Sequence, residues 1–368
     1  MVAPHIAFGY EIDVGQQVDQ QSADQIGAVT ADPAWLPYRV RDGGRMLKLI
    51  RLPRSALGAL SFIDNRSQIP RWKSATENAR RAELSVAEIA DCLPIAGPDC
   101  HFIFHSAFCC STLMARALDV EGVSCVLREP RSLTDLGEIK PRSGLPDDQK
   151  LALNVVLDLM QRPRVPGEKT VIKPVNLVNP LIEHIMEMRP HSRALLMYAS
   201  LPAFVMAIAR GRRLSWARGL AAFYRNHLEF TTRQTQDLLY LTDLQMAAFL
   251  WLQHQAHFAR LVRELPAGSV ATLRADFFLA DPGRAIGAAA ALFDLKLTQT
   301  DAAAIAAGPL FKSHSKRPDE SFDQSTRKRD EMMVKLAYGA EIDEAIKWAE
   351  AVAEEVSVPM ELGAPLVS

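Results

Sequence analysis

The chain has 368 residues, of which 48% are hydrophobic and 23% charged, so it can bury a substantial core and does not have the composition of a disordered protein. Its formal net charge of −1 gives no overall attraction to nucleic acid or to an anionic membrane. No apolar run approaches the roughly 20 residues that span a bilayer, and the start, MVAPHIAFGYEIDVGQQ, lacks the basic and apolar regions of a signal peptide. We therefore expect a soluble cytoplasmic protein without a nucleic-acid or membrane partner.

The first 95 residues predict an irregular arm followed by a small α+β module. Residues 42–44, Asp-Gly-Gly, separate two apolar segments, and Asp-Gly supplies the positive φ of a hairpin turn. Ser85 and Glu88 form a capping box that opens a helix. Residues 94–98 are predicted to link this module to the rest of the chain.

Residues 101–118, HFIFHSAFCCSTLMARAL, combine an apolar strand, a turn of small residues and an amphipathic helix. This layout binds phosphate in many α/β proteins, because loop N–H groups and the helix N-terminus attract an anion. The candidate phosphate ligands in this loop are Ser106, Cys109, Cys110, Ser111 and Thr112. Ser111 stands where the Walker A lysine would be, which disfavours an ordinary ATPase or GTPase. The alternative is a buried strand-loop-helix without a ligand, in which Ser111 and Thr112 cap the helix.

The five cysteines all lie between positions 92 and 125. Their spacing matches no zinc site, and their odd number argues against a disulfide framework. Adjacent Cys109 and Cys110 are interpreted as small buried residues, with redox sensitivity as the alternative. We expect no dedicated metal site.

From residue 100 onward, strands alternate with helices, which predicts a three-layer α/β sandwich around a mostly parallel sheet of the P-loop type. Strands are predicted at residues 102–104, 123–127, 170–172, 194–198 and 269–273. Helices are predicted at residues 147–160, 180–188, 284–293 and 331–356, with two more within 214–265. The predicted divisions are an N-terminal module (1–95), a core (96–320) and a C-terminal helical segment (321–368).

Polar side chains follow four of these strands at the edge where ligands bind in parallel α/β sheets. They are His105 and Ser106, Arg128 and Glu129, Lys173, and the residues from Tyr198 to Ser200. We expect Lys173 to neutralise charge that develops on a bridging oxygen, and Glu129 to act as a general base. His105 is a candidate base or phosphate contact. For each of the three, a purely structural role is the alternative.

The order of elements over residues 100–320 resembles that of the sulfotransferase family. Residues 107–114, AFCCSTLM, are similar to the family's P-[RK]-S-G-T-[TS]-L-L loop, with Phe108 in the basic position and Cys110 in the glycine position. Lys173-Pro174 resembles the family's KxP strand end, and residues 274–282, RADFFLADP, resemble its Y-E-D-L…D-P segment.

The resemblance implies a nucleotide-binding transferase that moves a sulfuryl group from 3′-phosphoadenosine-5′-phosphosulfate (PAPS) to a hydroxyl or amine of a small molecule or peptide. It also implies that Ser200 and Arg210, the nearest equivalents of the family's Arg and Ser, hold the 3′-phosphate of PAPS. Lys312, Lys316 and Arg317 are then expected in a basic loop over the nucleotide.

Two alternatives stay open at this point. A kinase-like P-loop enzyme would use ATP with Mg²⁺, which the missing 3′-phosphate arginine favours and the missing Walker lysine opposes. A non-catalytic descendant would keep the fold as a binding protein, which Phe108 and the two loop cysteines favour.

Overall fold

The structure is a computed structural model that describes residues 23–60, 62–63, 76, 78–93, 100–139, 144–210, 213–224, 227–233, 235, 238–314, 317–321 and 324–367. The strands are β1 (Trp35–Arg41), β2 (Met46–Arg51), β3 (Arg81–Ser85), β4 (Cys100–His105), β5 (Ser124–Arg128), β6 (Lys169–Lys173), β7 (Ala194–Tyr198), β8 (Val270–Arg274), β9 (Ser313–His314) and β10 (Arg317–Ser321). The α-helices are α1 (Ala23–Ala31), α2 (Arg54–Ala59), α3 (Val86–Cys92), α4 (Ser111–Ala117), α5 (Arg131–Ile139), α6 (Asp147–Gln161), α7 (Ile182–Met188), α8 (Leu201–Arg210), α9 (Leu214–Tyr224), α10 (Asp243–Glu264), α11 (Ala275–Ala280), α12 (Pro282–Leu292), α13 (Gln299–Ala307) and α14 (Gln324–Glu355).

A five-stranded parallel sheet forms the centre, in the order β5-β6-β4-β7-β8. The middle strand β4 pairs on both sides, with Phe102 opposite Ile172 of β6 and Ala194 of β7. All six residues of β4 are buried, which explains its continuous apolar sequence. The predicted α/β fold with a parallel sheet is confirmed.

Side chains alternate between two apolar cores, one on each face of this sheet. Ile103 packs in the core formed with α4, α8, α10 and α14. Phe102 and Phe104 pack in the opposite core, with α5, α6 and α7. The two cores make the three layers of the sandwich. Among the described residues, no helix is both long and apolar enough to cross a membrane.

The N-terminal strands β1, β2 and β3 form a separate antiparallel sheet. Its first turn uses positive φ at Asp42 and Gly43, as the Asp-Gly pair predicts. Asp135 of α5 accepts hydrogen bonds from the Arg39 side chain and the Val40 N–H, both at 2.9 Å. Apolar residues of this sheet belong to the same core as Phe102. The boundary at residue 95 stays a prediction, and the predicted linker at 94–98 and residues 1–22 of the predicted arm lie outside the described residues. The prediction of an irregular arm to about residue 30 is wrong for its end, because Ala23–Ala31 form the helix α1.

Both edges of the central sheet are covered by remote segments of the chain. On β5, the Arg128 carbonyl accepts the Ile63 N–H at 2.7 Å. On β8, the Thr272 N–H donates to the Ala364 carbonyl and the Leu366 N–H donates to the Thr272 carbonyl, both at 2.8 Å. The Thr272 hydroxyl adds a bond to the Gly363 carbonyl at 2.9 Å. The C-terminal tail therefore covers an edge that would otherwise expose unpaired backbone.

Deletion of residues 359–368 should destabilise the protein, because it removes the hydrogen bonds between the tail and Thr272. We expect a Tm lower by about 5 °C, from about 1 kcal/mol per bond, and greater aggregation. Thermal unfolding followed by circular dichroism measures the change. Deletion of residues 367–368 alone is the control, because it retains Leu366; equal Tm values for the two deletions would contradict the role given to the tail.

Candidate functional site

The loop between β4 and α4 has an unusual main-chain conformation. Ala107, Phe108 and Cys110 have φ values of 75°, 52° and 61°, in the left-handed region that favours glycine. Each such residue costs on the order of 1 kcal/mol, so the surrounding structure must hold the loop in place. Residues in the left-handed conformation turn the chain so that successive N–H groups face the inside of the turn. Anion-binding loops have this arrangement of N–H groups.

Several N–H groups of this loop stay available to a ligand. The N–H groups of Phe108, Cys109 and Thr112 donate to no group in the part of the chain that the structure describes. The Ser111 N–H and hydroxyl instead hydrogen-bond the Cys109 sulfur. Cys110 occupies the N-cap position of α4 and makes no side-chain cap bond. Ser111 and Thr112 are thus the first two helical residues and not the cap.

Glu129, Lys173 and His105 come together at the carboxyl ends of three adjacent strands. The Lys173 ammonium lies 2.7 Å from Glu129 Oε1 and 2.8 Å from His105 Nε2. Lys173 is fully buried, and the side chain of Glu129 is 14% exposed. The Glu129 N–H also donates to the Lys173 carbonyl at 2.6 Å. We call these three residues the strand-end triad.

The imidazole of His105 is held from both sides. Its Nδ1 accepts the Ala107 N–H at 3.0 Å, which assigns the ring proton to Nε2. Nε2 lies 3.1 Å from the Pro174 carbonyl, to which it donates. Because Nε2 carries the ring proton, the Lys173 ammonium cannot donate to it, and Glu129 is the acceptor for Lys173 within the triad.

A second layer of buried polar residues lies beside the triad, and the sequence analysis missed it. Asn179 Nδ2 is 3.2 Å from the His105 carbonyl oxygen and 3.3 Å from His254 Nδ1. The ring of Tyr224 packs edge-on against His254, and its hydroxyl donates to the Asn176 carbonyl. Burial lowers the pKa of His254 to about 3, so its imidazole is neutral. The available signals were the two asparagines just after Lys173-Pro174 and a histidine within an apolar helix.

Arg128 does not join the site, although it precedes Glu129 directly. Its guanidinium binds Asp119 at 2.6 Å and the Leu57 carbonyl at 2.8 Å. Successive residues of a strand point to opposite faces of the sheet, so Arg128 turns toward α2 while Glu129 turns toward Lys173. Arg128 anchors the N-terminal module to the sheet.

The remaining predicted binding residues lie farther from the triad along the chain. Ser200 follows β7 and is half-buried, and Arg210 is exposed at the end of α8. Lys312 ends a 3₁₀ turn (Pro309–Lys312) that packs against α4. Arg317 begins β10, and Lys316 lies outside the described residues. Their roles stay predictions.

No group of His, Cys, Asp and Glu side chains among the described residues is arranged to hold a metal ion. A cavity of about 700 Å³ lies between α8, α10 and α14, with Thr242, Tyr338 and Glu341 in its wall. Neither the loop nor the triad lines this cavity, so the cavity is separate from the candidate site at the strand ends.

Substitution Lys173→Met should destabilise the protein by about 3 kcal/mol, because it leaves the Glu129 carboxylate without its buried partner. Urea unfolding measures this loss. Lys169→Met on the same strand is the matched control, since Lys169 pairs with the exposed Asp294 and surface pairs contribute little. A Lys173→Met variant as stable as Lys169→Met would show that the buried pair does not hold the strand ends.

Cys109 should be inert to alkylation in the folded protein. Burial raises the pKa of its thiol to about 11, and the thiolate is the reactive species. Iodoacetamide at neutral pH followed by peptide mass spectrometry should label the exposed Cys92 and leave Cys109 unmodified until urea is added. Rapid labelling of native Cys109 would support the redox alternative.

Comparisons with solved structures give likenesses that include two sulfotransferases. The crystal structure of a sulfotransferase from Alicyclobacillus acidocaldarius is 15% identical and matches 71% of this chain and 97% of its own, with a TM-score of 0.37. The sulfotransferase domain from the curacin biosynthetic pathway is 11% identical and matches 72% of this chain and 99% of its own, with a TM-score of 0.40. Both belong to the family that the sequence resembles. No protein-family model and no curated protein matches the sequence. At such low TM-scores the likenesses say nothing about the site, which is described by its own contacts.

Proposed function

We propose that this protein is a transferase that moves a sulfuryl group from PAPS to a hydroxyl or amine acceptor. The observation that carries the proposal is the strand-end triad, in which Glu129, Lys173 and His105 meet at the ligand-binding edge of a parallel sheet. The adjoining loop offers free N–H groups to an anion. Group transfer to a hydroxyl requires groups that can take a proton and stabilise charge next to the bound donor. Glu129 and Lys173 are such groups, and they lie next to the loop.

The residues present fit the 5′-phosphosulfate end of PAPS. The N–H groups of Phe108, Cys109 and Thr112 would donate to its oxygens, together with the Thr112 hydroxyl. Ser200 and Arg210 are proposed for the 3′-phosphate on the resemblance alone. When bound, PAPS supplies an activated sulfuryl group and a stable leaving group.

Each residue of the triad has a separate role in the proposed transfer. Glu129 is the carboxylate of the triad, its side chain is 14% exposed, and it would take the proton of the acceptor. The Lys173 ammonium stabilises negative charge next to that carboxylate, in a site from which water is largely excluded. His105 fixes the base of the loop through its bonds to the Ala107 N–H and the Pro174 carbonyl.

Calorimetry against 3′-phosphoadenosine-5′-phosphate (PAP), the product nucleotide of such a transfer, tests the proposal. We expect the wild-type protein to bind PAP in preference to ADP or to ATP with Mg²⁺. Thr112→Val should weaken PAP binding about tenfold or more, because it removes one hydrogen bond to a charged group.

Thr112→Ser is the matched control, since it keeps the hydroxyl and should bind PAP nearly as well as the wild type. Preference for ATP with Mg²⁺ would redirect the assignment to phosphoryl transfer. Absence of binding to all three nucleotides would leave a non-catalytic protein.

A further inference from the structure

The helix α14 buries side chains in its second half and exposes much of its first half. The buried side chains begin at Ile342 and continue to Ala353, in the core formed with α8 and α10. Among the described residues of α14 before Ile342, Val334 and Gly339 are half-buried and the others are exposed. Helical segments gain most of their stability from packing against a neighbour, so this exposed half would be stabilised by a partner.

One face of the exposed half is apolar. The side chains of Met332, Met333 and Leu336 are 65%, 65% and 77% exposed. Their spacing of three and four residues places them on one side of the helix. Ala345, nine residues after Leu336, falls on the opposite side and is buried. Adjoining exposed apolar side chains mark an interaction surface, whereas single scattered ones do not.

The shape of this face is complementary to itself about Leu336. Large residues precede Leu336 by four and three positions (Met332 and Met333), and small residues follow it by three and four (Gly339 and Ala340). A Cβ added at Gly339 would meet no atom within 4 Å beyond its chain neighbours and the helix backbone. No contact within the described chain therefore requires a glycine there, although glycine costs a helix about 1 kcal/mol. In an antiparallel pair of α14 helices around Leu336, each methionine lies opposite a small residue of the second copy.

The charges on the same face fit the same arrangement. Arg329 stands seven residues before Leu336 and Asp343 seven residues after it, and both are exposed. In an antiparallel pair, Arg329 of each copy meets Asp343 of the other, whereas in a parallel pair each charge meets its like. Within one helix the two residues are about 21 Å apart, so they do not pair in a single chain. A guanidinium has five N–H donors and can join such a contact while it keeps another.

We propose that the exposed side of α14 from Arg329 to Asp343, which we call the α14 face, binds a second copy of this chain in an antiparallel pair centred on Leu336. The same surface is used by both copies, so the contact closes and gives a dimer and not a filament. The inference goes beyond the proposed function and is independent of it, because neither the loop nor the strand-end triad contributes a residue to the α14 face.

Sedimentation velocity of the full-length protein over a range of concentrations tests the pair. We expect the wild type to have twice the chain mass of 40.7 kDa at micromolar concentration. Leu336→Glu should raise the dimer dissociation constant about a hundredfold, because two leucines leave the contact and two carboxylates face each other at its centre. Leu151→Glu changes an exposed leucine of α6 and is the matched control, which should dimerise as the wild type does. Circular dichroism shows that each variant folds.

Charge reversal tests the antiparallel orientation. Arg329→Asp and Asp343→Arg should each weaken the dimer about tenfold, because each change brings like charges together twice. The double variant with both changes should return to within about threefold of the wild-type affinity, since opposite charges again face each other across the pair. A structural role of either residue within one chain would not produce this recovery.

Cysteine cross-linking tests the register, in a Cys92→Ser background that removes an exposed native thiol. Leu336→Cys should form an intermolecular disulfide in oxidised glutathione, because position 336 meets itself at the centre of the pair. Glu350→Cys should not, because its two copies would be about 42 Å apart in an antiparallel pair. In a parallel pair they would be adjacent.

The possible results separate the surface from its orientation. A monomeric wild type, or a Leu336→Glu variant that dimerises as the wild type does, overturns the assignment of the α14 face. A double charge variant no tighter than the single variants, or a cross-link at position 350, overturns the antiparallel pair. None of these results bears on the proposed function, which PAP binding tests separately.

Discussion

Burial of the Lys173 ammonium is the constraint around which the strand ends are organised. A cation without water needs groups that replace its hydration; the Glu129 carboxylate just past β5 accepts its hydrogen bond, and the His105 ring at the end of β4 packs against it. Glu129 reaches Nζ from a main chain with a φ of 53°, and its N–H donates to the Lys173 carbonyl. One buried charge thus fixes the ends of β5, β6 and β4 relative to one another.

The same constraint shapes the loop. His105 contacts Lys173 through Nε2, and its Nδ1 accepts the Ala107 N–H, so one amide of the loop is used in holding the ring. Ala107 and Phe108 then turn through left-handed conformations, and the Phe108 ring enters the apolar space beside Phe204. An apolar residue fits that space without a desolvation cost, whereas a lysine there would have to reach out of it. The loop lacks a basic residue at position 108 because that position faces an apolar space, which the Phe108 ring fills.

Much of the fold could be predicted from the sequence because parallel strands carry local signals. The strand at residues 194–198 has the predicted bounds, and the residues at three strand ends were readable as candidates because parallel strands end at one edge. The strand at 123–127 begins one residue later than predicted, since the Val123 N–H closes a turn onto the Val120 carbonyl. The pairing of Asn179 with His254, 75 positions apart, depends on tertiary packing that no local pattern encodes. The contact of the tail with Thr272 has the same origin.

Two buried ionic networks flank β5, and they differ in how far their carboxylates are exposed. In the first, Arg54 and Arg128 bind Asp119, and Arg54 also binds Glu168; the two carboxylates are 6% and 0% exposed. The charges of that network pair with one another between α2 and the sheet, and these pairs hold the N-terminal module against the sheet. In the second, the Glu129 carboxylate keeps 14% exposure and faces the edge where parallel sheets bind ligands. The Glu129–Lys173 pair therefore differs from the first network in leaving its carboxylate partly open at that edge, while both pairs join separate segments of the chain.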